Sequence, residues 1–361
     1  MLSLLLITNF SHCPCGGYCE DNVNASSQFI PAFQAIMSFL IVPALRLPTS
    51  DYDMKTYKFL ASSLTALMIF SAQAKDMKVG VALANFDLNF ISILRSQMAT
   101  ELKEENLTGQ LVDAKGDVAL QVQQVDDFIN QGVDAIILNP VDTQGVQPMM
   151  SAASRAGIPL IFVNRKPEVK LPAGMAYVGS DSALGGEMEM EALAKKMNYK
   201  GNVAILMGAL SNEEARERTR ATEAVIAKYK DMKVVEKQTA KWQRNEAVDV
   251  VSSWLLNGTP VNAIAANNDE MAIGAIMALN QAGNKEILVA GIDGTPDGVK
   301  FVQSGRLTLT IFQDARGQAT GAVKVTRALL DKKPVETYNW IPYQTITPEN
   351  FRQFQHAGQS R

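Results

Sequence analysis

The chain has 361 residues, 47% apolar and 20% charged, with a net charge of −3. That composition excludes a disordered chain and a polytopic membrane protein, and length allows one large domain or two ordinary ones. The slightly acidic balance gives no reason to expect nucleic acid, and two histidines, His12 and His356, offer little to a histidine-ligated metal or histidine acid–base catalysis.

Residues 1–53 follow no single design. Their apolar pieces, LSLLLI and IMSFLIV, are interrupted by prolines, and neither reaches the ~20 residues that a membrane-spanning helix needs. All the cysteines, Cys13, Cys15 and Cys19, lie here. Their C-x-C-x3-C spacing lacks the paired C-x2-C arrangement and a fourth ligand, so it is a weak metal signal. The pattern changes at Met54. MKTYK, FLASSLTALMIF and SAQA read as the basic region, apolar region and A-x-A end of a secretory signal. Translation is expected to begin at Met54 and cleavage to follow Ala74. Residues 1–53 would then be spurious upstream sequence, the alternative being a disordered extension. No cysteine at the junction supports a lipid anchor. The expected product is a soluble exported chain, residues 75–361, without disulfides.

From residue 75 strand and helix patterns alternate. KVGVALAN, LTGQLVDAK, DAIILNP and IPLIFVNR read as strands, with helices between them, one over 91–105 and one carrying Val122, Val125, Phe128 and Ile129 on one face. GNVAILMG follows, and Ser211 with Glu214 forms a capping-box pattern opening a helix to residue 229. KVVEKQTA is a strand. The next helix carries Val248, Val251, Trp254 and Leu255 on one side. NAIAANND and EILVAGIDG flank a helix whose Ile273, Ile276 and Met277 form a core-facing stripe. RLTLTIFQ and a helix over 315–330 follow. Strands apolar on both faces indicate parallel sheets covered by helices. GVDAIILNP-helix-IPLIFVNR is echoed by PVNAIAANND-helix-EILVAGIDG, so two similar α/β lobes are expected, ahead of a closed (β/α)8 barrel.

Parallel strands end on one edge, where ligands bind. The polar groups at these ends and in adjacent loops are Asp87, Asn164 and Arg165, Arg216 and Arg218, Asn268 and Asp269, Asp293, and Gln313, with Phe86, Phe90 and Trp242 beside them. Amides, carboxylates and guanidiniums can each make two hydrogen bonds to neighbouring hydroxyls, and aromatic rings offer a flat face to C–H groups. A polyhydroxylated ring needs both. Each residue also has a plainer role: Asp269 as a helix cap, which we favour, Asp293-Gly294 as a turn, Arg216 and Arg218 on a solvated face, the aromatics in the core. No G-x-G-x-x-G after a strand, G-x4-G-K-[ST], G-x-S-x-G or H-E-x-x-H occurs. No Asp–Glu pair stands out at two strand ends as glycoside hydrolysis would require.

IPLIFVNR, ARER, ANNDEMAIGA and AGIDGTPDG resemble, in order and spacing, the motifs of periplasmic sugar-binding proteins of the ribose-binding type, over essentially all of residues 75–343. The resemblance implies a type I periplasmic binding protein fold: two Rossmann-like lobes with parallel sheets and a three-stranded hinge. Residues 75–180 plus 314–342 would form the N-terminal lobe and 181–313 plus 343–361 the C-terminal lobe. It further implies a sugar held between lobes that close by hinge bending and present it to an ABC transporter permease, without cofactor or metal. Carried over by position, the ligand contacts are Asp87, Phe90, Asn164, Arg165, Arg218, Trp242, Asn268, Asp293 and Gln313, with Phe86 alongside; Arg218 is chosen over Arg216, and Asp269 is left as a cap. Ribose binders have Asp-Arg where this chain has Asn164-Arg165, Asn in place of Asp87, Phe in place of Asn89, and a smaller aromatic than Trp242. VVEKQTAKWQRNEA, VNRKP and NWIPYQTITPEN look more like the inositol- and rhizopine-binding branch, so a cyclic polyol, myo-inositol first, is expected. Ribose or another monosaccharide is the alternative, and a chemoreceptor-facing role stands beside transport. A repressor sharing this fold would carry a helix-turn-helix where this chain has an apolar signal. A secreted sugar-modifying enzyme is the other rival, disfavoured because this chain lacks the motifs above and an acid–base histidine.

N-terminal sequencing of the exported protein should find Lys75 first; a mature start well upstream would contradict the leader assignment.

Overall fold

The computed structural model describes residues 76–355. The upstream segment, the leader, the cysteines and both histidines lie outside them. Two open six-stranded sheets carry the described chain. The first contains β1 (Met77–Leu83), β2 (Leu107–Asp113), β3 (Ala135–Leu138), β4 (Leu160–Val163), β5 (Met175–Gly179) and β11 (Tyr338–Trp340), in the order β11-β5-β4-β3-β1-β2. The second contains β6 (Lys200–Met207), β7 (Asp231–Thr239), β8 (Ala263–Ala266), β9 (Leu288–Asp293), β10 (Leu309–Phe312) and β12 (Gln344–Ile346), in the order β12-β10-β9-β8-β6-β7. Every pairing is parallel except β10 with β12. Open sheets rule out the closed barrel.

The helices are α1 (Asn89–Glu104), α2 (Val118–Asn130), α3 (Gln147–Ala156), α4 (Ser182–Lys196), α5 (Glu213–Ala227), α6 (Arg244–Leu256), α7 (Asp269–Gln281), α8 (Pro296–Gln303) and α9 (Ala315–Leu330). Both faces of the sheets are covered, which is why β3, β4, β5, β8 and β10 are buried throughout. Leu94 and Met98 of α1 and Ala319 and Val323 of α9 pack against β1, β3 and β4 on one side of the first sheet. Phe128 of α2 and Met149 of α3 cover the other. The second sheet is enclosed by α6, α7 and α8 on one side and α4 and α5 on the other.

The chain leaves the first sheet after β5, returns between β10 and α9, whose apolar stripe joins the first core, and crosses again between β11 and β12. These are the two α/β lobes and three connections of a type I periplasmic binding protein fold. The sequence pattern had not resolved β5, α4, α8, β11 or β12. The last two are three residues each, too short to show a period.

Two local features set the positions that matter next. Gly157 takes a left-handed φ of 68° at the end of α3, so the chain turns straight into β4. Gly186 lets α4 lie flush on α5: a Cβ there would come 2.3 Å from the carbonyl oxygen of Arg218. That close approach fixes the turn of α5 from which the Arg218 side chain projects.

Candidate functional site

The strand ends of the two sheets face a cavity of about 650 Å³. All ten expected residues line it: Phe86, Asp87 and Phe90 after β1, Asn164 and Arg165 after β4, Arg218 on α5, Trp242 after β7, Asn268 after β8, Asp293 at the end of β9, and Gln313 after β10. Three of them, Asn164 (φ 64°), Trp242 (φ 70°) and Asp293 (φ 130°), have backbone conformations that side chains other than glycine seldom adopt. Such conformations concentrate at ligand sites, where surrounding contacts hold them. For Trp242 the holding contacts are visible. Its ring lies against the backbone of Gly208, where a Cβ would come 2.1 Å from it, and its Nε1 donates to Asn212 Oδ1 at 2.9 Å.

Arg218 is 2% exposed. Its Nη1 donates to the Asn267 carbonyl at 2.7 Å, and its Nη2 donates to Gln313 Oε1 and to Tyr343 Oη. Tyr343 Oη also donates to Gln313 Oε1 at 3.1 Å, so the guanidinium is held from three directions. Arg165 comes from the other lobe, anchored by Nη1 donating to the Pro140 carbonyl at 3.0 Å. Between the two arginines sits Glu214, 3.7 Å from Arg218 Nη2 and 4.0 Å from Arg165 Nε. Asn164 Nδ2 donates to its Oε1 at 2.9 Å, while Asn164 Oδ1 accepts from Asn139 Nδ2 at 3.1 Å. Burial raises the Glu214 carboxyl above its ordinary range, and both arginines oppose that rise. Asp293 is also buried and its carboxyl is pushed well up by desolvation, with Arg218 opposing. Its carboxylate makes no hydrogen bond among the described residues, and neither does that of Asp87.

Further contacts join the lobes on both sides of the cavity. Asn89 Nδ2 donates to Glu270 Oε1 at 3.0 Å, and Arg244 Nε holds the same carboxylate at 2.9 Å. Toward α5, Lys166 Nζ meets Glu213 Oε1 at 2.9 Å and Arg216 Nη2 meets Glu168 Oε2 at 2.7 Å. The amide of Glu213 donates to Thr143 Oγ1 at 2.9 Å, and Asn212 Nδ2 to the Val141 carbonyl at 2.8 Å. The lobes therefore stand closed on the cavity.

Several expectations change. Ser211 and Glu214 form no capping box: α5 begins at Glu213 after Asn212, which gives no side-chain cap, and Thr143 from the opposite lobe fills that place. Freed from capping, Glu214 turns into the cleft. Asp269 is not the cap of α7. Asn268 is, accepting from the Met271 amide at 3.0 Å. Asp269 instead accepts from the Thr295 amide and hydroxyl at 2.7 and 2.9 Å and from Thr310 Oγ1 at 2.6 Å, tying the ends of β9 and β10 to α7. Met277 leaves the core stripe and is 40% exposed at the cavity wall, and Val248 lines it as well. Arg216 serves the contact with Glu168 and lies outside the cavity lining. The sequence pattern does not single out Arg244 or Glu270, offers Glu214 only as a capping residue and marks Asn89 only as a departure from the ribose pattern. The available signal for Glu214 was its place four residues before Arg218, one helical turn away on the same face.

Residues 79–334 match the family described as periplasmic binding protein domain. The chain belongs to the periplasmic binding protein family. It is 38% identical over 305 residues to the "Putative rhizopine-binding protein" of Rhizobium meliloti, covering 82% of this chain and 98% of that one. It is 35% identical over 281 residues to the xylitol-binding protein of Mycolicibacterium smegmatis, 78% and 80% of the two chains. The crystal structure of an ABC transporter solute binding protein from Bacillus halodurans with bound myo-inositol matches with a TM-score of 0.76 at 37% identity, over 80% of this chain and all of that one. This is a sugar- or polyol-binding protein of the ABC transporter class, and its family is periplasmic. Among the described residues no helix is long and apolar enough to cross a membrane, and no acidic, cysteine or histidine cluster could hold a metal ion.

Behind Arg218 lies a further buried acid. Glu189 of α4 is fully buried, its oxygens lack a well-aligned hydrogen-bond donor among the described residues, and desolvation raises its carboxyl to about 8, with Arg218 and the nearby Ala266 amide opposing the rise. In an unfolded chain a glutamate titrates near ~4.3. Between roughly pH 4.5 and pH 8 the folded state thus keeps a proton that the unfolded state has lost, so this group's contribution to stability falls as pH rises through that window. Urea midpoints of the wild type should fall more steeply across that range than those of Glu189→Gln; parallel pH profiles would contradict the assignment.

Proposed function

We propose that the protein captures a cyclic polyol, myo-inositol in preference to ribose, in the cleft between its lobes and delivers it to an ABC transporter permease in the membrane. The observation that carries this reading is the matched set of planar polar groups facing the cavity from both lobes. Arg165 and Asn164 approach from one side, Arg218, Asp293, Asn268 and Gln313 from the other. The hydrogen-bonding positions these groups keep free can meet ring hydroxyls, and a carboxylate beside a guanidinium suits hydroxyls that donate to one and accept from the other. Phe90 and Trp242 line the same cavity and offer apolar faces to the C–H groups of a saturated ring. Phe86, Asp87 and the eight groups just named form the proposed binding set.

Myo-inositol is favoured because the site departs from the ribose pattern at Asp87, Asn89, Asn164 and Trp242. The 37% identical relative with bound myo-inositol supports the same choice. Delivery would depend on closure. A ligand held by groups of both lobes stabilises the closed form by its differential affinity for that form. The exported form would be residues 75–361, released in the periplasm after cleavage following Ala74. Binding without turnover is supported by the relatives, which are binding proteins. A chemoreceptor that reads the closed form is a second partner class for the same surface.

Titration calorimetry against myo-inositol, ribose, xylose and galactose should give the tightest binding for myo-inositol. Arg165→Ala and Asp293→Ala should each weaken it by ~1.5 kcal/mol or more, about tenfold, through loss of charge-assisted hydrogen bonds, with thermal unfolding little changed. Tight ribose binding without response to inositol would sink the ligand assignment, and normal binding by either variant would remove that residue from the site.

A further inference from the structure

The three connections between the lobes meet, at their second-lobe ends, around one side chain. Tyr343 is the last residue before β12, where the third connection enters the second sheet. Its hydroxyl donates at 3.1 Å to Oε1 of Gln313, which follows β10 where the second connection leaves that sheet. Its ring lies against Gly185, in the first turn of the helix that follows the first connection. A Cβ at Gly185 would come 2.9 Å from Tyr343 Cζ and 3.1 Å from its Oη. Tyr343 is 8% exposed and is not part of the cavity wall. Burial pushes its hydroxyl up to about 12, with Arg218 opposing, so the O–H stays a donor through neutral pH.

The same hydroxyl accepts from Arg218 Nη2 at 3.2 Å, and that nitrogen also donates to Gln313 Oε1. Guanidinium, phenol and amide thus close a triangle in which the phenol both gives and accepts. All three side chains are buried. The partners of Arg218 among the described residues, Asn267, Glu214, Gln313 and Tyr343, all belong to the lobe of the second sheet. Bending between lobes is absorbed by a few residues at the ends of elements. Gln313 and Tyr343 stand at two such ends, and Tyr343 touches the helix that begins at the third. A guanidinium on the cavity wall is therefore tied to the part of the chain about which the lobes turn.

We propose that Tyr343 is a positioning residue, which locks the Arg218 guanidinium to the second-lobe ends of the three connections. Arg218 then points into the cleft while the lobes are open and keeps that direction as they close. The inference rests on the proposed ligand reading only for its effect on affinity. A phenylalanine at this position keeps the ring against Gly185 and removes both hydrogen bonds of the hydroxyl. The freed guanidinium has to be ordered by the ligand instead, and ordering a side chain on binding costs affinity.

The test compares the wild type with Tyr343→Phe and with Gly185→Ala, which displaces the ring but keeps the hydroxyl. Tyr338→Phe, at an exposed tyrosine, is the control, and circular dichroism checks each protein for a native melting transition. Nitrogen-15 spectra of the ligand-free proteins read the Arg218 guanidinium, assigned by the signals that Arg218→Lys removes. The wild type should show separate Nη resonances, as hindered rotation requires. Both Tyr343→Phe and Gly185→Ala should shift or merge them, and Tyr338→Phe should leave them in place. Calorimetry with myo-inositol should find Tyr343→Phe weaker by at least about fivefold and Tyr338→Phe within about twofold of the wild type. Weaker binding with an unchanged Arg218 spectrum would make Tyr343 a packing residue only and overturn the proposal. A changed spectrum with unchanged affinity would overturn it as well. If the wild type binds no myo-inositol, the ligand reading falls; the guanidinium spectra then decide alone whether Tyr343 holds Arg218, and unchanged spectra would end that claim too.

Discussion

Glu214 sits where the two lobes meet, between Arg218 of its own helix and Asn164 and Arg165 from across the cleft. A carboxylate in that position would be costly alone, because burial strips it of water. Two guanidiniums and an amide offset the cost, and two of those three partners come from the other lobe. The same carboxylate keeps Arg165 and Arg218 from facing each other as unscreened like charges. Removing one member of such a network leaves the rest buried and unpaired, which is why the loss exceeds the worth of the pair itself. Closure, orientation of the arginines and the polarity of the cavity are thus coupled through one side chain.

Around that centre the groups divide by how fully they are used. Arg218 is held by Asn267, Gln313, Tyr343 and Glu214, so its direction is set before any ligand arrives. Asp269 is consumed by Thr295 and Thr310, and it holds the strand ends in place. Asp293 differs: it is buried beside Arg218, and its carboxylate has no hydrogen-bond partner among the described residues. A preorganised cation next to an unsatisfied carboxylate is a pairing that hydroxyl groups can complete, since each hydroxyl both donates and accepts. The structural acids and the cavity-facing acid therefore differ in satisfaction more than in burial.

Much of this was legible in the chain. Continuous apolar strands announce a parallel sheet, and a parallel sheet gathers its strand ends on one edge, so the polar residues at those ends include Asp87, Asn164, Arg165, Arg218, Asn268, Asp293 and Gln313 of the cavity wall, with Phe86, Phe90 and Trp242 beside them. What stayed hidden did so because one local pattern serves two purposes. Ser211-x-x-Glu214 is a capping-box spelling, yet the cap comes from Thr143, about seventy positions earlier and on the other lobe. Asn268 and Asp269 are both competent caps, and only the pull of Thr295 and Thr310 decides which one serves. Met277 and Val248 share the helical period of their core neighbours, and nothing local distinguishes a residue facing a core from one facing a cleft. Partners far apart in sequence, such as Asn89 and Glu270, leave no local trace at all.

On the proposed function, the two lobes close around a ring held by Arg165 and Asn164 from one side and Arg218 and Asp293 from the other. A crystal structure of the protein grown with myo-inositol tests it most directly. Density for the ring should lie in the cavity, between Phe90 and Trp242, with hydroxyls within hydrogen-bonding distance of Asp293 and both guanidiniums and with Glu214 still bridging the lobes. A cavity filled only by water at saturating inositol, or a ring bound elsewhere, would contradict it.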